Sequence, residues 1–537
     1  MGVKFDDLFG RLRAMLTRPL PGSLGSRNGG AIAPADVEGW LAELTIDRPL
    51  ACCEKLTARL NGLLSQIESP KARFLTLERI SEHLAPVFAR LETVPDSQDG
   101  SALNVRKTAS LGERALDRLA RAYADIVHSE LETPRGGRNA EPEQHVKLAA
   151  LRACQYSYRR ILIVCRSYGD LTPEHWRLPV ELYFAAARAQ MHDTALDKNN
   201  GENIARQLAR ILLLVLADPH GLSRRGYENA RFYIERFGHL ARLCGADQWT
   251  GDSEGWFLVW PSAEGLRPLL HRGDLDQGGG QRLLLDAHPL LARLDLHREG
   301  LAAGTSPTRL GLPLNAREPE YVTLLERLRE HWGNPPQRAQ ARHRAQPHAD
   351  VVIGFEQIRL FMNHAAQLRR ATPGETLPKF PVSQWEIFDR SERGMGLERL
   401  SEEAVAVEVG EILAVKPTEE GEVQLAISRR TRFRNSHETE LGVELLCRPG
   451  LTARFKPTQR DARGHEREPV PFIFLPSVPR LDGAPALLAP PDLVEEGTVI
   501  ALPHRSGGTI RFESAERVER FASCDLIRLQ QTTGDAA

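Results

Sequence analysis

Apolar positions recur at helical spacing through the first half of the chain. Trp40, Leu41 and Leu44 share one face of a helix, as do Leu56, Leu60, Leu63, Leu64 and Ile67. The same period predicts helices over residues 72–92, 106–131, 143–167, 175–193, 201–217 and 224–244. Asp218-Pro219-His220-Gly221 supplies a stop signal after one of them. No fixed repeat links these segments, so residues 35–245 read as an irregular helical domain and not as a solenoid. Residues 1–34 precede it as a flexible N-terminal segment whose Pro-, Gly- and Ser-rich end, 21–34, is a linker.

The pattern changes near residue 255. Trp256-Phe257-Leu258-Val259-Trp260, stopped by Pro261, predicts a strand. Residues 274–281, with Gly278-Gly279-Gly280, predict a loop, and residues 282–300 and 316–331 predict helices, which makes 246–332 a mixed α/β connecting region. Residues 333–349 are a polar, basic break: Gly333-Asn334-Pro335-Pro336 is followed by Arg338, Arg342 and Arg344. Two prolines at its entrance disfavour a continuous helix. Beyond 350, short alternating runs at 351–353, 384–388, 405–409, 411–415, 423–428 and 442–446 predict closely spaced strands of a small barrel or sandwich. A second β-rich unit over 451–529 has strand candidates at 452–456, 471–475, 486–488, 498–502, 509–512 and 525–529. Residues 530–537 read as a disordered tail. The fold class is therefore multidomain α+β.

Length and charge narrow the function classes. A chain of 537 residues is too long for one ordinary core and predicts three or more folding units. The formal net charge of −1 gives no broad field for nucleic acid or an anionic membrane, so an anion site has to be local. The seven cysteines form no C-x-x-C pair and sit mostly in apolar surroundings, which predicts reduced core thiols and a reducing compartment. Residues 1–20 carry charges throughout, unlike a secretory signal, and Asp6 occupies the position where N-myristoylation needs Ser or Thr. The most apolar run, 211–217, is far shorter than the about 20 residues of a membrane span. These features together predict a cytoplasmic protein.

Two short patterns carry candidate chemistry. Arg338-Ala339-Gln340-Ala341-Arg342 is an R-x-x-x-R in the basic break. Asp389-Arg390-Ser391-Glu392-Arg393-Gly394 is a D-x-S-x-x-G directly after the strand candidate that ends at Phe388. Taken singly, the first also fits a solvated basic linker and the second a turn after a strand. Their order is more specific: an arginine pair ahead of a β domain, then an acid–serine–glycine motif at a strand end. Two further strand signals come after it, Val407-Glu408-Val409-Gly410 and Leu441-Gly442-Val443-Glu444.

This arrangement resembles the PilZ family over about residues 333–450. The resemblance implies a six-stranded barrel that binds cyclic di-GMP. The residue types suit that ligand. Guanidinium groups pair bidentately with phosphate and with guanine O6 and N7, and stack on bases. Asp389 matches the N1 and N2 donors of guanine, Ser391 adds a polar contact, and Gly394 permits close approach or a positive φ. The implied ligand set is Arg338, Arg342, Asp389, Ser391 and Gly394. One departure is a helical-looking insertion, 355–370, with Ile358, Phe361, Met362 and Ala365 on one face; it leaves Arg344 and Arg369–Arg370 as substitute arginines. His343, His348 and His364 lack a recognised metal spacing, and the chain has no G-x-x-x-x-G-K-[ST] phosphate loop and no G-x-S-x-G elbow. The expectation is a non-catalytic cyclic di-GMP receptor without a further cofactor, coupled to a partner protein through the helical domain, and not a DNA- or RNA-binding protein. The alternative is an interaction module whose degenerate barrel binds no nucleotide. The second β unit either completes the PilZ fold or serves as a docking face.

Overall fold

The computed structural model describes residues 35–92, 102–132, 142–196, 201–251, 253–260, 266–269, 272–276, 282–336, 343–344, 348–368, 381–400, 407–418, 422–434, 438–447, 452–455, 470–503 and 509–531. They fall into two compact units, one within Met1–Pro219 and Arg225–Gln337, the other within His220–Arg224 and Arg338–Ala537.

The first unit is mainly helical. Its helices are α1 (Ala35–Glu43), α2 (Pro49–Ser65), α3 (Pro70–Glu92), α4 (Ala102–Glu132), α5 (Gln144–Arg166), α6 (Glu174–Arg188), α7 (Ile204–Leu216) and α8 (Arg224–Phe237). α5 is buried on nearly every face, so its arginines need partners. Arg152 binds Glu78 of α3 in a two-pronged contact, with both N···O distances 2.9 Å. Arg159 reaches Glu92 of α3, and Arg160 reaches Glu113 and Asp117 of α4. All seven thiols of the chain are unpaired, and all but Cys447 are fully buried.

A small antiparallel sheet comes next, in the order β1-β4-β2-β3: β1 (Arg242–Cys244), β2 (Trp256–Val259), β3 (Leu266–Pro268) and β4 (Leu283–Asp286). Two expectations are corrected here. The helix expected over 224–244 ends at Phe237, and 242–244 is a strand. The helix expected from 282 begins at His288, because Leu283-Leu284-Leu285 is a strand between β1 and β2. It is buried on both faces, so no polar alternation separates it from a helical run. Asp286 Oδ1 accepts the His288 N–H at 3.0 Å and starts α9 (His288–Ala302). The last helix of the unit is α10 (Pro319–Gly333). The loop expected over 274–281 begins inside a short helical turn, Arg272–Asp276, and residues 277–281 lie outside the described residues.

The second unit opens with β5 (His343–Arg344), β6 (His348–Ile353) and α11 (Phe355–Leu368). The strands β7 (Ser383–Arg390), β8 (Gly394–Leu400), β9 (Ile412–Pro417), β10 (Gln424–Phe433) and β11 (Glu438–Cys447) come after them. Pairing runs β7-β6-β9-β10-β11-β8, and β8 pairs back onto β7, which closes a six-stranded antiparallel barrel. β5 adds to β7 as a short extra strand. Trp385, Ile387, Met395, Leu397, Leu413, Val415, Leu441 and Val443 fill the interior. Three strand expectations change. β8 is a strand where none was expected, because Gly394-Met395-Gly396 reads as a turn, although Met395 and Leu397 alternate into the core. The described part of 405–409 forms no strand: Val407 is buried, and Val409-Gly410 is a turn with Gly410 at φ +89°. The basic break contains β5 and the start of β6, where no strand was expected.

The remaining strands, β12 (Thr452–Phe455), β13 (Val470–Leu475), β14 (Ala486–Ala489), β15 (Val499–Pro503), β16 (Thr509–Arg520) and β17 (Asp525–Gln531), form one antiparallel sheet in the order β12-β13-β14-β17-β16-β15. This sheet is not separate from the barrel. Val352, Ile412, Ala414, Leu425 and Ile427 turn outward from the barrel and share one core with Ile473, Leu475, Leu488, Phe521 and Leu526. The inserted helix α11 lies in that seam: Phe355 and Ile358 are buried in it, with Phe361 and Met362 packed alongside. The side chain of Ala365 lies outside the described residues. Ile358→Ala should therefore destabilise barrel and sheet together, by about 2–5 kcal/mol. Hydrogen exchange should show protection falling by the same factor in β9 and β17; loss confined to one of them would contradict a common core.

Candidate functional site

The D-x-S-x-x-G motif is the hairpin between β7 and β8. Gly394 O accepts both the Ser391 N–H, at 2.8 Å, and the Ser391 hydroxyl, at 3.3 Å, which closes a tight turn. Gly394 is not among the residues of positive φ; its missing side chain serves a close approach. A Cβ there would stand 2.7 Å from the backbone oxygen of Val443 on β11. On β7 a bulge between Ile387 and Asp389 leaves Phe388 as the extra residue and re-aims the strand end. A Cβ on Gly396 would lie 2.4 Å from both the Asp389 carboxylate and the Phe388 ring.

The registers then place four residues in a row across the outside of the barrel. Asp389 is opposite Gly396, Gly396 opposite Gly442, and Gly442 opposite Arg430. The two middle positions of the row are glycines. With strands about 4.8 Å apart the row spans about 14 Å of backbone, and the Asp389 carboxylate and Phe388 ring lie over its Gly396 position. A groove of about 440 Å³ overlies this region and is bordered by Asp389, Ser391, Arg393, Arg429, Arg430 and Glu444.

Several of its charges are held in ion pairs. Arg429 Nε donates to Glu444 Oε2 at 2.6 Å, and Nη2 donates to Glu519 Oε2 at 3.0 Å. Burial alone would lower the Arg429 pKa, but the contacts with Glu519 and Glu444 outweigh it and hold the guanidinium above its ordinary range. For Glu519, burial pushes the carboxyl up, and Arg429 and Arg480 pull it below its ordinary value by more. Arg432 lies 3.8 Å from Glu440, which also faces Arg434 at 3.2 Å.

Of the residues expected in the site, Asp389, Ser391 and Gly394 are together on the groove wall. Arg338 and Arg342 lie outside the described residues, as do Arg369 and Arg370. The chain just beyond Arg342 pairs with the motif strand: His343 is opposite Arg390 and Arg344 opposite Asp389, so β5 runs beside the end of β7. Among the described residues, no group of His, Cys, Asp and Glu could hold a metal ion. Sequence reasoning missed Arg429, Arg430 and Arg432, because the strand expected at 423–428 runs on to Phe433. The available signal was Arg430-Thr431-Arg432, with Thr431 buried between two more exposed arginines, which continues the alternation.

Residues 35–247 match the model for the N-terminal domain of the cyclic-di-GMP receptor FimW, and residues 360–450 match the model for its middle PilZ domain. The chain belongs to this PilZ-containing family of cyclic di-GMP receptors. No curated protein matches it. The FimW PilZ match begins inside α11 and takes in the 391–394 hairpin and strands β7 to β11, while residues 338–342 precede it. No helix among the described residues is long and apolar enough to cross a membrane.

The close approach at Gly394 is directly testable. Gly394→Ala drives a methyl group against backbone that cannot step aside, and should cost about 1–3 kcal/mol of stability. Gly442→Ala, whose Cβ would meet only the Arg430 Cβ at 3.3 Å, should cost less. Urea denaturation of the two variants checks the order; equal losses would refute the steric account.

Proposed function

We propose that this chain is a non-catalytic, cytoplasmic receptor whose groove binds cyclic di-GMP. Asp389 and Ser391 contact guanine, Gly394 holds their hairpin against β11, and Arg338 and Arg342 close over the ligand from the segment leading into β5. The observation that carries this reading is the Asp389–Gly396–Gly442–Arg430 row beside the groove: an acceptor for guanine N1 and N2 at one end, a guanidinium at the other, and two glycines between them, with Asp389 and Phe388 lying over Gly396, and Gly442 on the groove wall. The pairing of His343 with Arg390 supports the arginine assignment, since the chain leaving Arg342 arrives beside the motif. The helical region of residues 35–245 is the output side and engages a partner protein, in keeping with its match to the N-terminal domain of a receptor. Residues 333–450 with 451–529 form the ligand-sensing side.

Arg342→Ala should weaken cyclic di-GMP binding about a hundredfold or more. It removes charge-assisted hydrogen bonds worth roughly 1.5–3 kcal/mol each, and about 2.7 kcal/mol in total corresponds to that factor. Arg342→Lys should not restore it, because an ammonium cannot reproduce a planar fork. Asp389→Asn should be milder, since the amide oxygen still accepts from guanine. Isothermal titration of wild type and the three variants, with circular dichroism for folding, makes the test. Unchanged affinity in a folded Arg342→Ala protein would remove Arg342 from the site. A wild-type protein that binds no cyclic di-GMP at high micromolar concentration would overturn the function itself.

A further inference from the structure

Arg429 belongs both to the groove and to the seam with the C-terminal sheet. β10 has a register shift between Ser428 and Arg430 that leaves Arg429 as the extra residue, and β16 has one between Arg517 and Glu519. Bulges re-aim side chains, and here two of them bring Arg429 and Glu519 together. Glu519 has a second cation: Arg480 Nη1 donates to its Oε2 at 2.6 Å, and the Arg480 guanidinium lies 5.7 Å from the centre of the Phe521 ring. Arg480 does not border the groove. Its Nε and Nη2 are buried and have no hydrogen-bond partner among the described residues. Arg429 retains about a third of its side-chain surface, 35%.

We propose that Arg429 is a further ligand-binding residue and that Glu519 competes with the ligand for it. A phosphate of the ligand in the groove takes the Arg429 fork, and Glu519 passes to Arg480. The exchange is feasible because it strands no charge. Removing the only partner of a half-buried carboxylate is strongly unfavourable. Glu519 keeps Arg480, which has unused donors for the oxygen that Arg429 gives up. Arg429 trades one bidentate anion for another of suitable geometry. Glu444, on the groove side, steadies the guanidinium during the trade. The seam between barrel and C-terminal sheet thus contains a contact whose state depends on ligand occupancy. The proposal rests on cyclic di-GMP occupying this groove.

The test is titration of the full chain with cyclic di-GMP. Arg429→Gln should weaken binding about tenfold or more. Glu519→Gln removes the competitor and should tighten binding about fivefold, opposite in sign to the loss expected from damaging the seam. Arg480→Gln leaves Glu519 wholly on Arg429 and should weaken binding several-fold although it lies outside the groove. In an Arg429→Gln background, Glu519→Gln should have no effect. If wild type binds but a folded Glu519→Gln protein binds equally or less tightly, the competition is overturned while the receptor reading stands. If Glu519→Gln does not fold, unchanged affinity in Arg480→Gln overturns it instead. If wild type does not bind at all, the receptor reading falls and this inference falls with it.

Discussion

Closure of the barrel depends on how near β8 can lie to β11. A side chain at position 394 would strain the end of the β8–β11 ladder, since its Cβ would fall within 2.7 Å of the Val443 oxygen. The β8 strand bridges β7 and β11, so the sheet has no open edge there. The motif glycine thus eases closure at the hairpin end. Closure in turn brings Asp389 on β7 into the same row as Arg430 on β10, across β8 and β11 on the barrel wall. The polar members of the motif then occupy a surface that closure has created, where the glycine at 396 makes room for the Asp389 and Phe388 side chains.

The groove is not simply a basic patch. Its arginines alternate with carboxylates, and those whose contacts are resolved are paired, Arg429 with Glu444 and Glu519, and Arg432 beside Glu440. A ligand anion therefore gains only the difference between its own contact and the ion pair it displaces. Such a surface discriminates among anions by geometry more than by total charge. A bidentate partner whose oxygens match the guanidinium fork can exceed a carboxylate pair, whereas diffuse electrostatic attraction cannot. This agrees with a chain whose charges nearly cancel, 70 cationic against 71 anionic residues.

Much of this was legible in the sequence, and the illegible parts share a cause. Helical periodicity located α2 to α8 because each carries an apolar stripe of several turns. It failed at Leu283-Leu284-Leu285, where burial on both faces erases the alternation that marks a strand. It also failed at β8, where two glycines that permit close packing have the composition of a turn. The motif residues Asp389, Ser391 and Gly394 could be read because their types and order are specific. Gly396, Arg429 and Arg430 could not. Their importance comes from register and from bulges, which are fixed by pairing between strands far apart in the chain. The same holds for the C-terminal sheet: its strands were visible singly, but a core shared with the outward face of β9 and β10 is a property of packing alone.

That shared core constrains what ligand binding can do within this unit. Ile412, Ala414, Leu425 and Ile427 on the barrel side, with Ile473, Leu488 and Leu526 on the sheet side, are close-packed, and such an interface does not yield by small continuous shifts. A response that tilted the C-terminal sheet against the barrel would have to break this core and expose α11 with it. A change of partner within a charged cluster at the rim needs no such rupture. Arg429 and Glu519 stand at that rim, each with a second partner already in contact. Within the β unit, the proposed occupancy of the groove would therefore be registered as an exchange of ion pairs, with the hydrophobic seam left intact beneath it.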